Sequence, residues 1–320
     1  MNPAENPKVE RNVRAFLNAL NSGGGQPIET LSPADARKVL IGAQAARTLD
    51  LPLCDIEEKP ITQDGLSVRL TIVRPKGATK KLPGFMFFHG GGWILGDFPT
   101  HERFVRDLVF ASGFPAIFVN YTPSPEAQYP TAINEAYAAT KWVATHGDEI
   151  NVDGSSLALV GNSVGGNMTA VVALMAKKQG GPKLKSQILF WPVTNADFET
   201  PSYNEYANGY FLSKAMMTWF WDAYVKDAET RKEIFCSPLE ATLTDLEGLP
   251  PALVQTAGND VLRDEGEAYA RKLDAAGVDV TAVRYSGLIH DYGLLNALSD
   301  VPAVRAALQQ AADELKMRLC

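Results

Sequence analysis

Five short, nearly continuous apolar runs, at 85–88, 115–119, 157–160, 188–191 and 252–255, are separated by segments with helical periodicity. A run of four or five apolar residues without alternation is the pattern of a strand covered on both faces, as in a parallel sheet. Between the runs lie Ile133, Ala136, Tyr137 and Thr140 with Trp142 and Val143, then 168–176, then Tyr269, Leu273 and Ala276 at helical spacing. Strand and helix therefore alternate, which predicts an α/β fold with a mostly parallel central sheet and helices on both faces. Residues 66–73 alternate strictly and read as a half-buried strand, and Val304, Leu308, Ala311 and Leu315 mark a closing helix.

Two segments stand outside this rhythm. At the N-terminus, Val9, Val13, Phe16, Leu17 and Leu20 predict a helix that ends at Ser22-Gly23-Gly24-Gly25. Ser32-Pro33 opens a second, with Asp35 in its first turn and Ala36, Val39, Leu40 and Ala43 facing inward. Residues 195–240 have no clear strand but are rich in aromatics, from Tyr203 to Tyr224. They read as a helical insertion that joins the N-terminal helices in a cap over the sheet's carboxyl edge. The expected organisation is thus 1–54 as N-terminal cap helices, 55–194 with 241–320 as the α/β domain, and 195–240 as the cap insertion.

Thirty Lys and Arg against thirty-seven Asp and Glu leave a net charge of −7, the wrong sign for a nucleic-acid backbone. Cys54, Cys236 and Cys320 form no CxxC pair and read as free thiols in a reducing compartment. The N-terminal stretch lacks the apolar core of a signal peptide and no stretch approaches the length of a membrane span, so the expectation is a cytoplasmic protein.

The sequence Gly161-Asn162-Ser163-Val164-Gly165 falls directly between the strand LALV and the helical run NMTAVVALMA. A GxSxG at a strand-to-helix junction is a nucleophile elbow, which exposes the serine hydroxyl at the tip of a strained turn. A second glycine cluster, His89-Gly90-Gly91-Gly92-Trp93, follows the strand FMFF. Such a segment turns sharply and aims amides at a developing oxyanion. Gly91 and Gly92, with the amide of Val164, are the expected donors. A phosphate cradle is disfavoured because the P-loop pattern is absent.

Serine chemistry needs a base, and there are four histidines. His89 belongs to the glycine loop, which it would hold by hydrogen bonds, and His101 and His146 fall in polar helical or turn contexts. His290 follows the strand DVTAVRY and a turn SGLI, which places it in a loop at a strand's carboxyl end. Three carboxylates could orient it: Asp260, Asp264 and Glu265. Asp264 and Glu267 have helix-cap spacing, which makes Asp264 and Glu265 structural and leaves Asp260 as the acid. The order Ser163, Asp260, His290 is that of α/β hydrolases.

Taken together, HGGGW, GNSVGG, the stretch NDVLRDEGEAYARKLDAAGV and GLIHDY resemble the hormone-sensitive-lipase-like family of α/β-hydrolase esterases. The resemblance runs from about residue 55 onward and includes the insertion. It implies a serine carboxylesterase acting on small, short-chain esters without metal or cofactor, and allows dimerisation through an edge strand or the last helix. The family usually has GDSAGG where this chain has Asn162 and Val164, and this chain lacks the arginine that usually follows Tyr121. Trp93, Tyr210, Phe211, Leu212, Leu288 and Ile289 are candidate pocket residues. The same scaffold could serve a lactonase, amidase or dehydratase. A binding module without turnover would lose part of the triad.

Overall fold

Apolar strands need cover on both faces, and the computed structural model, which describes residues 3–320, supplies it. The elements in chain order are helices α1 (Arg11–Ser22) and α2 (Pro33–Ala45), then strands β1 (Cys54–Gln63), β2 (Leu66–Pro75) and β3 (Leu82–Phe88). Next come α3 (Phe98–Ser112), β4 (Ala116–Asn120), α4 (Thr131–His146), β5 (Val152–Asn162), α5 (Val164–Gln179) and β6 (Leu184–Phe190). The insertion contributes α6 (Pro201–Glu205) and α7 (Lys214–Tyr224), and the short α8 (Leu243–Leu246) follows it. The chain closes with β7 (Ala252–Asn259), α9 (Arg263–Ala275), β8 (Val280–Ile289) and α10 (Pro302–Leu319).

These strands form one eight-stranded sheet in the order β1-β2-β4-β3-β5-β6-β7-β8. The β1–β2 and β2–β4 pairs are antiparallel, and all pairs from β4–β3 to β7–β8 are parallel. Helices α3 and α10 pack together on one face, while α4 packs beside α5 and α9 lies on β7 on the other. Every residue of β7 and of Phe85–Phe88 is buried, as two-sided cover requires.

Several expectations need correction. Strand β1 has the charged sequence CDIEEKPITQ and escapes a reading based on apolar runs. Its signal is Asp64-Gly65, both at positive φ (53° and 77°) between β1 and β2, the dipeptide that favours a tight hairpin. The SGLI segment is the end of β8 rather than a turn. Strand β2 loses its alternation after Leu70, because Thr71 is buried along with Ile72 and Val73. Ser32 caps α2 as expected, yet Val39 faces solvent and only Ala36, Leu40 and Gln44 are buried on that helix.

The insertion and the N-terminal segment meet through specific contacts. Asn6 donates to the Tyr210 hydroxyl at 2.9 Å, Asn21 donates to the Gly209 carbonyl at 3.0 Å, and the rings of Phe16 and Phe211 lie 6.2 Å apart.

Candidate active site

Chain connections run from β3 to β4 on one side and from β4 back across to β5 on the other, so the strand order reverses around β3. Open α/β sheets place ligands at the carboxyl ends of strands beside such a reversal. Here β3 ends in the His89–Trp93 loop and β5 ends at Asn162-Ser163, and Phe88 pairs with Gly161 across the two strands. Two segments 70 residues apart in sequence thereby become neighbours.

Ser163 stands at φ 56° and ψ −121° between β5 and α5. A non-glycine residue in the left-handed region costs of order 1–3 kcal/mol and persists only where its surroundings hold it. The hold here includes a hydrogen bond from the Ser163 amide to the Phe190 carbonyl at 2.9 Å and one from Val193 to the Ser163 carbonyl at 3.1 Å. The turn passes so near β3 that a Cβ on Gly165 would stand 1.9 Å from the Phe88 carbonyl oxygen. This close approach explains why glycine occupies the position.

Three side chains from three strand ends form a relay. His290 Nε2 lies 3.0 Å from Ser163 Oγ, and His290 Nδ1 lies 2.8 Å from Asp260 Oδ2. All three are buried, with Ser163 only 3% exposed. Burial pushes the His290 imidazole down, but the Asp260 and Asp291 carboxylates outweigh it and leave its pKa above the ordinary histidine value. The other oxygen of Asp260 accepts the Leu262 amide at 3.0 Å, which orients the carboxylate.

The remaining acids are occupied elsewhere. Asp264 accepts the Ser202 amide at 2.8 Å and the Arg263 guanidinium at 2.8 Å, tying α9 to α6. It does not cap α9, whose N-cap residue is Leu262 without a side-chain bond, so the cap reading of Asp264 is corrected. Glu265 is buried and accepts the amides of Thr194 and Asn195 at 2.6 and 3.2 Å, a structural use.

Among the other histidines, burial lowers His89 to about 4 and His101 well below the ordinary value, so both are neutral near pH 7. His101 is fully buried in α3 and packs its ring 5.3 Å from that of His89, which corrects the polar context expected for it. His89 stacks on Tyr121 with 4.1 Å between ring centroids, and its Nδ1 lies 2.8 Å from the Gly90 carbonyl oxygen. This is the loop-holding role expected of it.

Gly91 and Gly92 lie at φ 106° and 63°. Among the described residues the amides of Gly91, Gly92 and Val164 donate to no other backbone group. The Gly90 amide instead donates to Asn162 Oδ1 at 3.1 Å and fastens the glycine loop to the residue before Ser163. The loop is also pressed from above by α7, and a Cβ on Gly92 would lie 2.1 Å from the Phe220 ring. Gly92→Ala is therefore expected to lower kcat/KM for 4-nitrophenyl acetate by roughly 10²–10³, the scale of one lost oxyanion donor. Steady-state kinetics would check it, with retained activity showing that the loop keeps its geometry with a Cβ at 92 beneath Phe220.

Other sequence-selected residues have varied settings. Trp93 is buried and stacks on Tyr224 at 4.0 Å, with Trp221 edge-on at 5.0 Å. Tyr210 and Phe211 join the insertion to the N-terminal segment through the contacts given above. Leu212, Leu288 and Ile289 are buried, the last two at the end of β8 next to His290.

Two residues that sequence reasoning did not single out also reach this region. Trp191 stands at φ 35° just after β6, and Asp291 at φ 58° just after β8. The Trp191 indole donates to Asp291 Oδ1 at 2.9 Å, and Asp291 Oδ1 lies 3.8 Å from His290 Nε2. No spacing rule links positions 191 and 291, and only the parallel packing of their strands brings them together.

Comparison with known proteins agrees with this architecture. Residues 85–294 match a family model described as alpha/beta hydrolase fold. The chain is 35% identical over 271 residues to the carboxylesterase NlhH of Mycobacterium tuberculosis, covering 84% of each chain. It is 31% identical over 294 residues to an ethyl acetate hydrolase of Pseudomonas putida, covering 90% of this chain and 91% of the other. The crystal structure of a thermostable esterase from Pseudomonas putida ECU1011 superposes with a TM-score of 0.97 at 62% identity, over 98% of this chain and 99% of that one. The chain belongs to the hormone-sensitive-lipase-like family of α/β-hydrolase esterases.

Proposed function

We propose that the protein is a serine carboxylesterase that hydrolyses small, short-chain acyl esters through an acyl-enzyme on Ser163. The observation that carries the reading is the relay itself, with 3.0 Å from Ser163 Oγ to His290 Nε2 and 2.8 Å from His290 Nδ1 to Asp260 Oδ2. These distances suit proton transfer during attack. Ser163 Oγ bonds to the ester carbonyl carbon as its proton passes to His290 Nε2. The carbonyl oxygen becomes negative and is held by the amides of Gly91, Gly92 and Val164, aided by the N-terminus of α5. Collapse breaks the bond to the alcohol oxygen, which takes the proton from His290. Water then attacks the acyl group with His290 again as base, releasing the carboxylic acid and restoring Ser163. Asp260 keeps the imidazole oriented and stabilises its charged form.

In this reading the N-terminal helices and residues 195–240 form the cap, and Trp93, Tyr210, Phe211, Leu212, Leu288 and Ile289 bound the acyl and alcohol space. The small-substrate preference rests on the buried serine and on Phe220 lying over Gly92. The relatives named for ester and ethyl acetate hydrolysis point the same way. No helix among the described residues is long and apolar enough to cross a membrane. Free thiols at Cys54, Cys236 and Cys320 fit a reducing, cytoplasmic setting. The outer edge of β8, at the end of the sheet, suits pairing with a second copy.

The test is turnover of 4-nitrophenyl acetate across pH. Because only neutral His290 can accept the proton, kcat/KM should fall about tenfold per pH unit on the acid side. The midpoint should lie above the ordinary histidine value, following the raised pKa. A flat profile from pH 5 to 8 would remove His290 as the base.

A further inference from the structure

His290 has a second carboxylate beside it that the relay does not use. Asp291 is 7% exposed, and its Oδ1 lies 3.8 Å from His290 Nε2, the nitrogen that faces Ser163. That oxygen accepts the Trp191 indole N–H at 2.9 Å and the Asn162 side-chain amide at 3.4 Å. Asn162, Trp191 and Asp291 come from the ends of three different strands, β5, β6 and β8. Ser163, Trp191 and Asp291 all hold positive φ at these ends (56°, 35° and 58°), and clustered backbone strain of this kind is sustained where a site requires it. The Trp191 ring is seated on the loop itself, since its centroid is 4.2 Å from that of Tyr292 and a Cβ on Gly293 would come within 2.8 Å of it.

We propose that Asp291, fixed by Trp191 and Asn162, is a second anion at His290 that stabilises the imidazolium formed during turnover, and that Asn162 is the residue that permits it. This rests on the reading of Ser163 and His290 as nucleophile and base. Burial raises the Asp291 pKa above the ordinary carboxylate value, and His290 together with the two N–H donors, Trp191 and Asn162, acts against that rise by favouring the ionised form. Asn162 uses both ends of its amide, with Oδ1 taking the Gly90 N–H and Nδ2 reaching Asp291. An aspartate at 162, usual in the family, could still accept from Gly90. It would also set a second carboxylate against Asp291 and force the two to share a proton. The departure of the elbow from GDSAGG thus has a physical counterpart 129 residues away.

The charged and titratable groups around this point are few. From β7 comes Asp260, bonded to the opposite nitrogen of His290. From α3 come the neutral His101 and Arg103, the latter paired with Asp107 and donating to the Gly293 and Leu294 carbonyls of the same loop. Asp291 acts on the reaction through His290 and is a positioning residue.

The experiment compares the pH dependence of kcat/KM for 4-nitrophenyl acetate in the wild type, D291N and W191F, with circular dichroism to follow folding. Asparagine tolerates the left-handed backbone at 291 and keeps the shape of the side chain, so D291N removes the charge alone. The acid limb of D291N should move down by about one pH unit, as expected when an opposite charge near the base is lost. W191F keeps the Asp291 carboxylate but removes its indole donor, which favours the uncharged acid and moves the limb in the same direction. It carries the test if D291N does not fold. A limb unmoved in the folded variants overturns the proposal while leaving the esterase reading intact. A wild type without turnover overturns the esterase reading instead.

Discussion

Ser163→Ala should reduce ester turnover by roughly 10⁵–10⁶, to the background left by binding and oxyanion contacts. The substitution removes one oxygen from a position that the fold holds at φ 56°. Alanine adds no new contact, and circular dichroism should stay unchanged. The loss would therefore report chemistry. His290→Ala should cost about as much, and the double variant little more, because nucleophile and base act as one unit. Burst kinetics and covalent labelling by a phosphonate provide the check. A fluorophosphonate that labels Ser163→Ala as fully as the wild type would exclude Ser163 as the nucleophile.

Asp260→Asn and Asp264→Asn separate two carboxylates that lie four positions apart and differ in use. Asp260 meets His290 Nδ1 at 2.8 Å, so the amide variant would offer an N–H where an acceptor is needed and favour the wrong tautomer. A drop in kcat of about 10⁴ is expected. Asp264 instead accepts the Ser202 amide and the Arg263 guanidinium. Its asparagine variant should keep kcat within about tenfold and show its effect in the melting temperature. Equal losses of kcat would mean that the wrong acid has been assigned.

Legibility in the sequence followed the range of the interactions involved. The parallel strands were readable because burial on both faces leaves a continuous apolar run, and β7 is buried along its whole length. The elbow was readable because the strand, the turn and α5 are consecutive, and a close passage such as that of Gly165 past the Phe88 carbonyl admits no larger residue. Strand β1 has no apolar run to read, since an edge strand leaves all but one of its side chains at least partly in water. The SGLI segment looks like a turn because a glycine usually interrupts a strand, whereas β8 continues through it to reach His290. The polar spacing around His101 says nothing about its burial in α3 against His89, which comes from a distant loop and lies with its ring tilted 5.3 Å away.

The amino-acid order by itself determined the class of fold, the chain order of a serine, an acid and a histidine, and the presence of a glycine loop. Each is written in local pattern, in runs, spacings and backbone needs that few neighbours can alter. Only the tertiary structure decided that Asp291 stands beside His290, that Asn162 bridges Gly90 and Asp291, and that Phe220 closes over Gly92. The physical reason is that hydrogen bonds and ring contacts act over a few ångströms, while the residues that make them are separated by 30 to 129 positions. Their meeting depends on the order and direction of the strands that carry them.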